Sequence, residues 1–231
     1  MRPGVGRDGS PKTVVVIGAA RGGTSFVAEC LVRLGVPMGP KYGNARPTDG
    51  SGVSDYVNYE DVELVSALED VMSRGLVDDP SSNEWRYFRQ LVQDRDLAHD
   101  LWGFKRPQAV FAIDQLLPLL RNPHLVLVMR DPVAVWTSQQ ARNVSGRATW
   151  GMARHAVGCV MDLAEKPRGP TLALSFERAK EAPAVTRYMM AKFLGLTPSE
   201  EDACEYLSQV SQGTSAASSQ GGSSGGTPLS N

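Results

Sequence analysis

Five successive β-branched residues, Thr13-Val14-Val15-Val16-Ile17, restrict this chain more than any other feature. A run with no polar alternation fits a strand covered on both faces, as strands of parallel sheets are. Gly18-Ala19-Ala20-Arg21-Gly22-Gly23-Thr24-Ser25 follows, and then apolar residues at helical spacing over 25–34, closed by Gly35. Successive glycines let the backbone curl with its N–H groups turned inward, at the positive end of a helix dipole. Buried strand, glycine-rich turn and helix, in that order, predict an anion cradle.

The rest of the chain repeats the alternation. Strands are expected over 102–105, 124–129 and 171–175, with helical stretches between them. Strands separated by helices give an α/β three-layer sandwich around a central parallel sheet. In such sheets ligands bind at the carboxyl ends of the strands, here just after Ile17, Met129 and Ser175. Residues 1–12 read as a flexible lead-in, 13–210 as one domain, and the Gly/Ser-rich 211–231 as a disordered tail. Residues 40–56 read as a loop. Asn58 offers a cap for the next helix, with Glu60 and Asp61 in its first turn. Pro107 opens a helix to about 120. Thr197-Pro198-Ser199-Glu200 forms a capping box with Pro198 first in the helix.

The net charge of −1 argues against a protein that coats nucleic acid or an anionic membrane. No apolar run approaches the ~20 residues of a membrane helix, and residues 1–12 lack the apolar centre of a signal peptide. The expected address is the cytoplasm. Cys30, Cys159 and Cys204 are scattered and odd in number, which suits core residues in a reducing compartment. No metal-ligand spacing occurs.

The loop spacing Gly18-x-x-x-x-Gly23 with Ser25 is that of a P-loop, but Thr24 stands where a nucleotide kinase places its phosphate-gripping lysine. Arg21 is the only long cation in the loop. Ala20-Arg21-Gly22-Gly23-Thr24-Ser25 resembles the 5′-phosphosulfate loop of sulfotransferases that use 3′-phosphoadenosine-5′-phosphosulfate (PAPS), departing from it at Ala20 and Gly22. Arg130-Asp131-Pro132, with Ser138 six positions after the proline, resembles the second phosphate motif of that family. Gly103-Phe104-Lys105-Arg106-Pro107 is similar to a stretch of bacterial and carbohydrate sulfotransferases, and Phe176-Glu177 to a Tyr-Glu segment that flanks the adenine.

The resemblance runs over about 14–196 and implies a P-loop NTPase-like sulfotransferase fold, PAPS as donor, PAP as product and no metal. It implies that Gly22, Gly23, Thr24 and Ser25 hold the 5′-phosphate and that Arg21 meets the departing bridging oxygen. It gives Arg130 and Ser138 to the 3′-phosphate, Phe176 to the adenine and Lys105 to the transferred group. Glu60 falls where bacterial members carry a general base, although an acid in a first helical turn also suits the helix dipole. His99 and His155 are alternatives by chemistry alone. His124 lies at the amino end of its strand, the wrong side of the sheet.

The acceptor, a small molecule or carbohydrate offering a hydroxyl or amine, is expected near residues 39–56 and Trp85-Arg86-Tyr87-Phe88-Arg89. Arg86 and Arg89 there either meet it or form a solvated helix face. One departure stands out: no Lys or Arg follows Val210, where many sulfotransferases carry a basic loop over the 3′-phosphate. Two other readings stay open, a P-loop small-molecule kinase and a catalytically degenerate protein that binds a nucleotide or a partner.

Overall fold

The structure is a computed structural model that describes residues 10–39, 42–44, 57–141 and 150–219. Strand β1 (Lys12–Gly18) is buried along its whole length. It pairs in parallel with β4 (Leu101–Lys105) on one side and β5 (Pro123–Met129) on the other, and β6 (Thr171–Ser175) pairs with β5. The sheet order is β4-β1-β5-β6. The chain leaves β1 for one neighbour and later returns to the other, so the carboxyl end of β1 is the topological switch point.

Alternate residues of β1 feed two cores. Val15 and Ile17 join Trp102, Phe104, Leu125 and Leu127 beneath α2 (Val62–Ser73), α3 (Asn83–Ala98) and α6 (Trp150–Glu165). Val14 and Val16 join Leu101, Val126 and Val128 beneath α1 (Thr24–Arg33) and α8 (Pro183–Leu194). The period-two alternation of a strand thus sends one continuous apolar run to both faces, which is the expected three-layer α/β sandwich.

Four local expectations are corrected. Within 40–56, Tyr42–Asn44 is a strand (β2), paired antiparallel with β3 (Val57–Asp61); the remainder of that stretch lies outside the described residues. Asn58 therefore sits in a strand, and Asp61 caps α2 by accepting from the Glu63 and Leu64 N–H groups, each at 3.2 Å. The stretch after Pro107 is a 3-10 turn (Pro107–Ala112), one short helix α4 (Ile113–Leu116) and a second 3-10 turn (Leu117–Leu119) around Pro118. The last helix, α9 (Glu200–Ser219), is capped two residues later than Thr197, with Ser199 Oγ accepting from Asp202 N–H at 3.1 Å. It also continues beyond residue 210 into the stretch read as tail; residues 220–231 lie outside the described residues. Helices α5 (Pro132–Ala141) and α7 (Phe176–Glu181) complete the fold. No helix among the described residues is long and apolar enough to cross a membrane.

The three cysteines are free thiols in different surroundings. Cys30 is buried, and loss of solvation pushes its pKa up to about 11; Cys204 is exposed. A thiol reagent at mildly alkaline pH is expected to label Cys204 at once and Cys30 only on unfolding, since the thiolate is the reactive form. Mass-spectrometric mapping of labelled sites checks this.

Candidate active site

The carboxyl ends of all four parallel strands deliver side chains to one cavity of about 320 Å³. Arg21 comes from the loop after β1, Thr24 and Ser25 from the first turn of α1, Lys105 and Arg106 from the end of β4, Arg130 from the end of β5 and Phe176 from the end of β6. Glu60 enters from β3. Four cations and one carboxylate thus line the same cavity, an arrangement suited to an anion carrying several charges.

The glycine loop is held in an unusual shape. Arg21 has φ 68° and Gly23 φ 91°. A left-handed arginine costs of order 1–2 kcal/mol and persists only where neighbours enforce it. The neighbours here come from the second loop. Arg130 Nη1 donates to the Arg21 carbonyl at 2.7 Å, Gln139 Nε2 donates to the Ala20 carbonyl at 2.9 Å, and Arg21 Nε donates to Ser138 Oγ at 3.3 Å. The two motifs read separately in the sequence are thus one hydrogen-bonded unit. Ser138 stands behind Arg21 rather than on the cavity wall.

The start of α1 is open to a ligand. Gly23 is its N-cap and contributes no side chain, and no acid occupies the first turn. Among the described residues, the N–H groups of Gly23, Thr24 and Ser25 meet no acceptor, as first-turn donors do without a cap or ligand. The Gly22 N–H differs: it is turned back to the Ala19 carbonyl at 2.8 Å. The open N–H donors at this helix start therefore begin at Gly23, not at Gly22.

Phe176 explains why Gly23 is glycine. A Cβ there would stand 2.0 Å from Phe176 Cδ2. The same ring lies under the Arg130 guanidinium, 4.8 Å from centroid to Cζ, and meets Phe26 edge-to-face at 6.3 Å. Gly23→Ala is expected to lower stability by roughly 1–3 kcal/mol through backbone strain, with a further loss from displacing Phe176. Gly35→Ala is the control, because Gly35 has φ +81° with nothing within 4 Å of its Cβ position. Thermal unfolding should place Gly23→Ala below Gly35→Ala.

Lys105 is 3% exposed, with Nζ 2.5 Å from Glu60 Oε1 and 3.4 Å from Ser25 Oγ. Loss of solvation lowers its pKa below the ordinary lysine value; Glu60 pulls it upward, and Arg106 and Arg21 add to the lowering. Glu60 Oε2 also lies 3.8 Å from Arg106 Nη1. Because Glu60 belongs to β3 and precedes the cap of α2, helix-dipole compensation does not account for it. The sequence reading gave no role to Arg106 or Gln108, both of which line the cavity. The signal available for them was their place just past a strand end.

Other candidates lie elsewhere. Trp85 and Phe88 are core residues, Arg89 donates to the Pro80 carbonyl at 2.6 Å, and Arg86 is tied to Asn83. Of the two alternatives for this stretch, the contacts favour the helix face: Trp85 and Phe88 pack inward, Tyr87 is exposed, and the arginines serve the same helix and its lead-in. His155 stacks on Phe111 at 5.4 Å, and His124 Nδ1 sits 2.9 Å from the Asn122 carbonyl at the amino end of β5.

Neither a protein-family description nor a curated protein sequence matches the chain. Solved structures do. A Mycobacterium tuberculosis sulfotransferase superposes with a TM-score of 0.55 at 14% identity, over 87% of this chain and 72% of that one. The sulfotransferase domain of the Synechococcus olefin synthase gives 0.52 at 16% identity, over 85% and 78%. The fold is sulfotransferase-like. The sulfotransferase domain of the curacin biosynthetic pathway agrees, with a TM-score of 0.51 at 12% identity over 85% of this chain and 78% of the domain. At such identities the shared property is the architecture, and the site has to be argued from its own residues.

Proposed function

We propose that the protein transfers a sulfuryl group from PAPS to a hydroxyl or amine of a small-molecule or carbohydrate acceptor. The observation that carries this reading is the joining of the two phosphate loops: Arg130 and Ser138 hold Arg21 by its carbonyl and its Nε beside an uncapped helix N-terminus. A site for one phosphate needs the helix end alone. A second cationic loop fixed to the first fits a donor with phosphates at both ends of its ribose. The kinase reading loses ground at the same residues, since Thr24 replaces the lysine and Arg130 follows β5 where a magnesium-binding acid would be needed.

In this reading the N–H groups of Gly23 and Thr24, with the Ser25 hydroxyl, hold the 5′-phosphate. Arg130 takes the 3′-phosphate, Ser138 supports Arg21 from behind the cavity wall, and Phe176 lies against the adenine. PAPS supplies the sulfuryl group. Sulfuryl transfer resembles phosphoryl transfer in asking the protein for positioning and charge more than for covalent chemistry. Arg21 stabilises negative charge on the departing phosphate oxygen. Lys105 covers the oxygens of the transferred group. Glu60, released from Lys105 as that amine turns to the new anion, accepts the proton of the acceptor hydroxyl.

Calorimetry of the full chain with PAP, adenosine 5′-monophosphate and ATP–magnesium tests this. Micromolar PAP binding that collapses without the 3′-phosphate is expected. Preference for ATP–magnesium would return the kinase reading. PAP binding without transfer to any acceptor in a broad screen would favour the degenerate binding protein.

A further inference from the structure

Asp61, the neighbour of Glu60, is held by more contacts than a helix cap requires. Asp61 is 1% exposed. Its Oδ1 accepts from the Glu63 and Leu64 N–H groups, and its Oδ2 accepts from Arg95 Nε at 3.0 Å. Arg95 Nη2 reaches Asp61 Oδ1 at 3.4 Å and Glu63 Oε2 at 2.7 Å. Serine or asparagine would cap α2 as well, without burying a charge. A buried carboxylate that keeps its own arginine is therefore set there for something besides the cap.

The surroundings indicate what is fixed. On one side of Glu60, Tyr59 is held at φ 54° with its ring packed on the core formed with α1 and α8. On the other side, Asp61 is tied to α2 and α3 and closed in by Gly39, where a Cβ would stand 2.6 Å from Asp61 Cβ. The Glu60 backbone is thus clamped at both neighbours, and its carboxylate lies 2.5 Å from the Lys105 amine. We propose that Asp61 and Arg95 are positioning residues, a buried ion pair that fixes the backbone of Glu60 so that its carboxylate faces Lys105 and the cavity. The purpose given to Glu60 rests on the sulfotransferase reading; the positioning itself does not. Arg95 also neutralises the charge of Asp61, which would otherwise stand unscreened beside Glu60.

The test reads the Lys105 amine. The groups facing it are Glu60 from β3, Arg106 beyond β4, Arg21 of the glycine loop and the Ser25 hydroxyl of α1. Side-chain NMR of the full-length, lysine-labelled protein follows its titration, with the signal identified by its loss in Lys105→Arg. Glu60→Gln removes the upward pull and is expected to move the titration to lower pH by about one pH unit or more. Asp61→Asn and Arg95→Gln should move it the same way, and Arg95→Lys should restore part of the shift. Ser82→Ala, which deletes only the cap of α3, should lower the melting temperature and leave the titration in place. An unmoved Lys105 titration in both Asp61→Asn and Arg95→Gln, beside a shifted one in Glu60→Gln, overturns the proposal and leaves Asp61 a helix cap. Should Asp61→Asn fail to fold, Arg95→Gln decides. Loss of PAP binding by the unaltered protein would sink the sulfotransferase reading, while shifted titrations in these variants would still support the positioning pair.

Discussion

Arg130→Ala is expected to weaken PAP binding by about 2 kcal/mol, close to thirtyfold in Kd, because a charge-assisted contact to a phosphate is lost. Two consequences of the substitution have to be separated. Arg130 presents charge to the cavity, and it also holds the left-handed Arg21 by its carbonyl at 2.7 Å. If it serves the 3′-phosphate, adenosine 5′-monophosphate should bind the variant nearly as it binds the unaltered protein, and only PAP should suffer. Equal losses for both nucleotides would mean that Arg130 acts through the loop alone. Arg130→Lys should not rescue: one ammonium cannot both stack on Phe176 and bridge to the Arg21 carbonyl as a planar guanidinium does. Competition calorimetry with the two nucleotides makes the comparison.

That coupling also marks the boundary of what the sequence makes legible. The strands follow from Thr13-Val14-Val15-Val16-Ile17 and from 124–129 because burial on both faces demands continuous apolar residues, a local property. The loop positions follow because the carboxyl ends of parallel strands are where ligands bind. Local chemistry did not decide between rival caps. Asn58 and Asp61 are both good cap residues three apart; Asp61 prevails because Arg95, distant in sequence, compensates it and because Tyr59 packs into the core. Ser199 likewise displaces Thr197 where Arg187 pairs with Asp202 and anchors the first turn of α9. Strand β2 was hidden because Tyr42-Gly43-Asn44 has little strand propensity of its own and exists by pairing with β3. In α3 the alternatives were both visible, and the spacing of Trp85, Phe88, Leu91 and Val92 shows which applies: it is a core-facing stripe. The Glu60–Lys105 pair required β3 and β4 to be brought together, which no spacing in the sequence announces.

Lys105→Met should show the opposite signs for activity and stability. Removing a preorganised cation from the transferred group is expected to slow transfer by roughly 10²–10³-fold, the scale of losing one strong electrostatic contact in a dry site. Stability should hold or rise. Lys105 is 3% exposed, and burial outweighs the pull of Glu60 on its pKa, so the folded state carries a net penalty for the charged amine. Methionine has similar length and no such penalty, while Glu60 keeps Arg106 at 3.8 Å. The pH dependence follows with a definite sign. The amine loses its proton at lower pH in the folded state than in the unfolded one, so between those two values the unfolded state holds more protons and stability rises with pH. The penalty is complete below the folded value and is relieved as pH climbs toward 10.5, the unperturbed value. The melting-temperature gap between Lys105→Met and the unaltered protein should therefore narrow with rising pH. A variant that loses both transfer and stability at neutral pH would instead make Lys105 a structural partner of Glu60, and the cation over the transferred group would have to be Arg106 or Arg21.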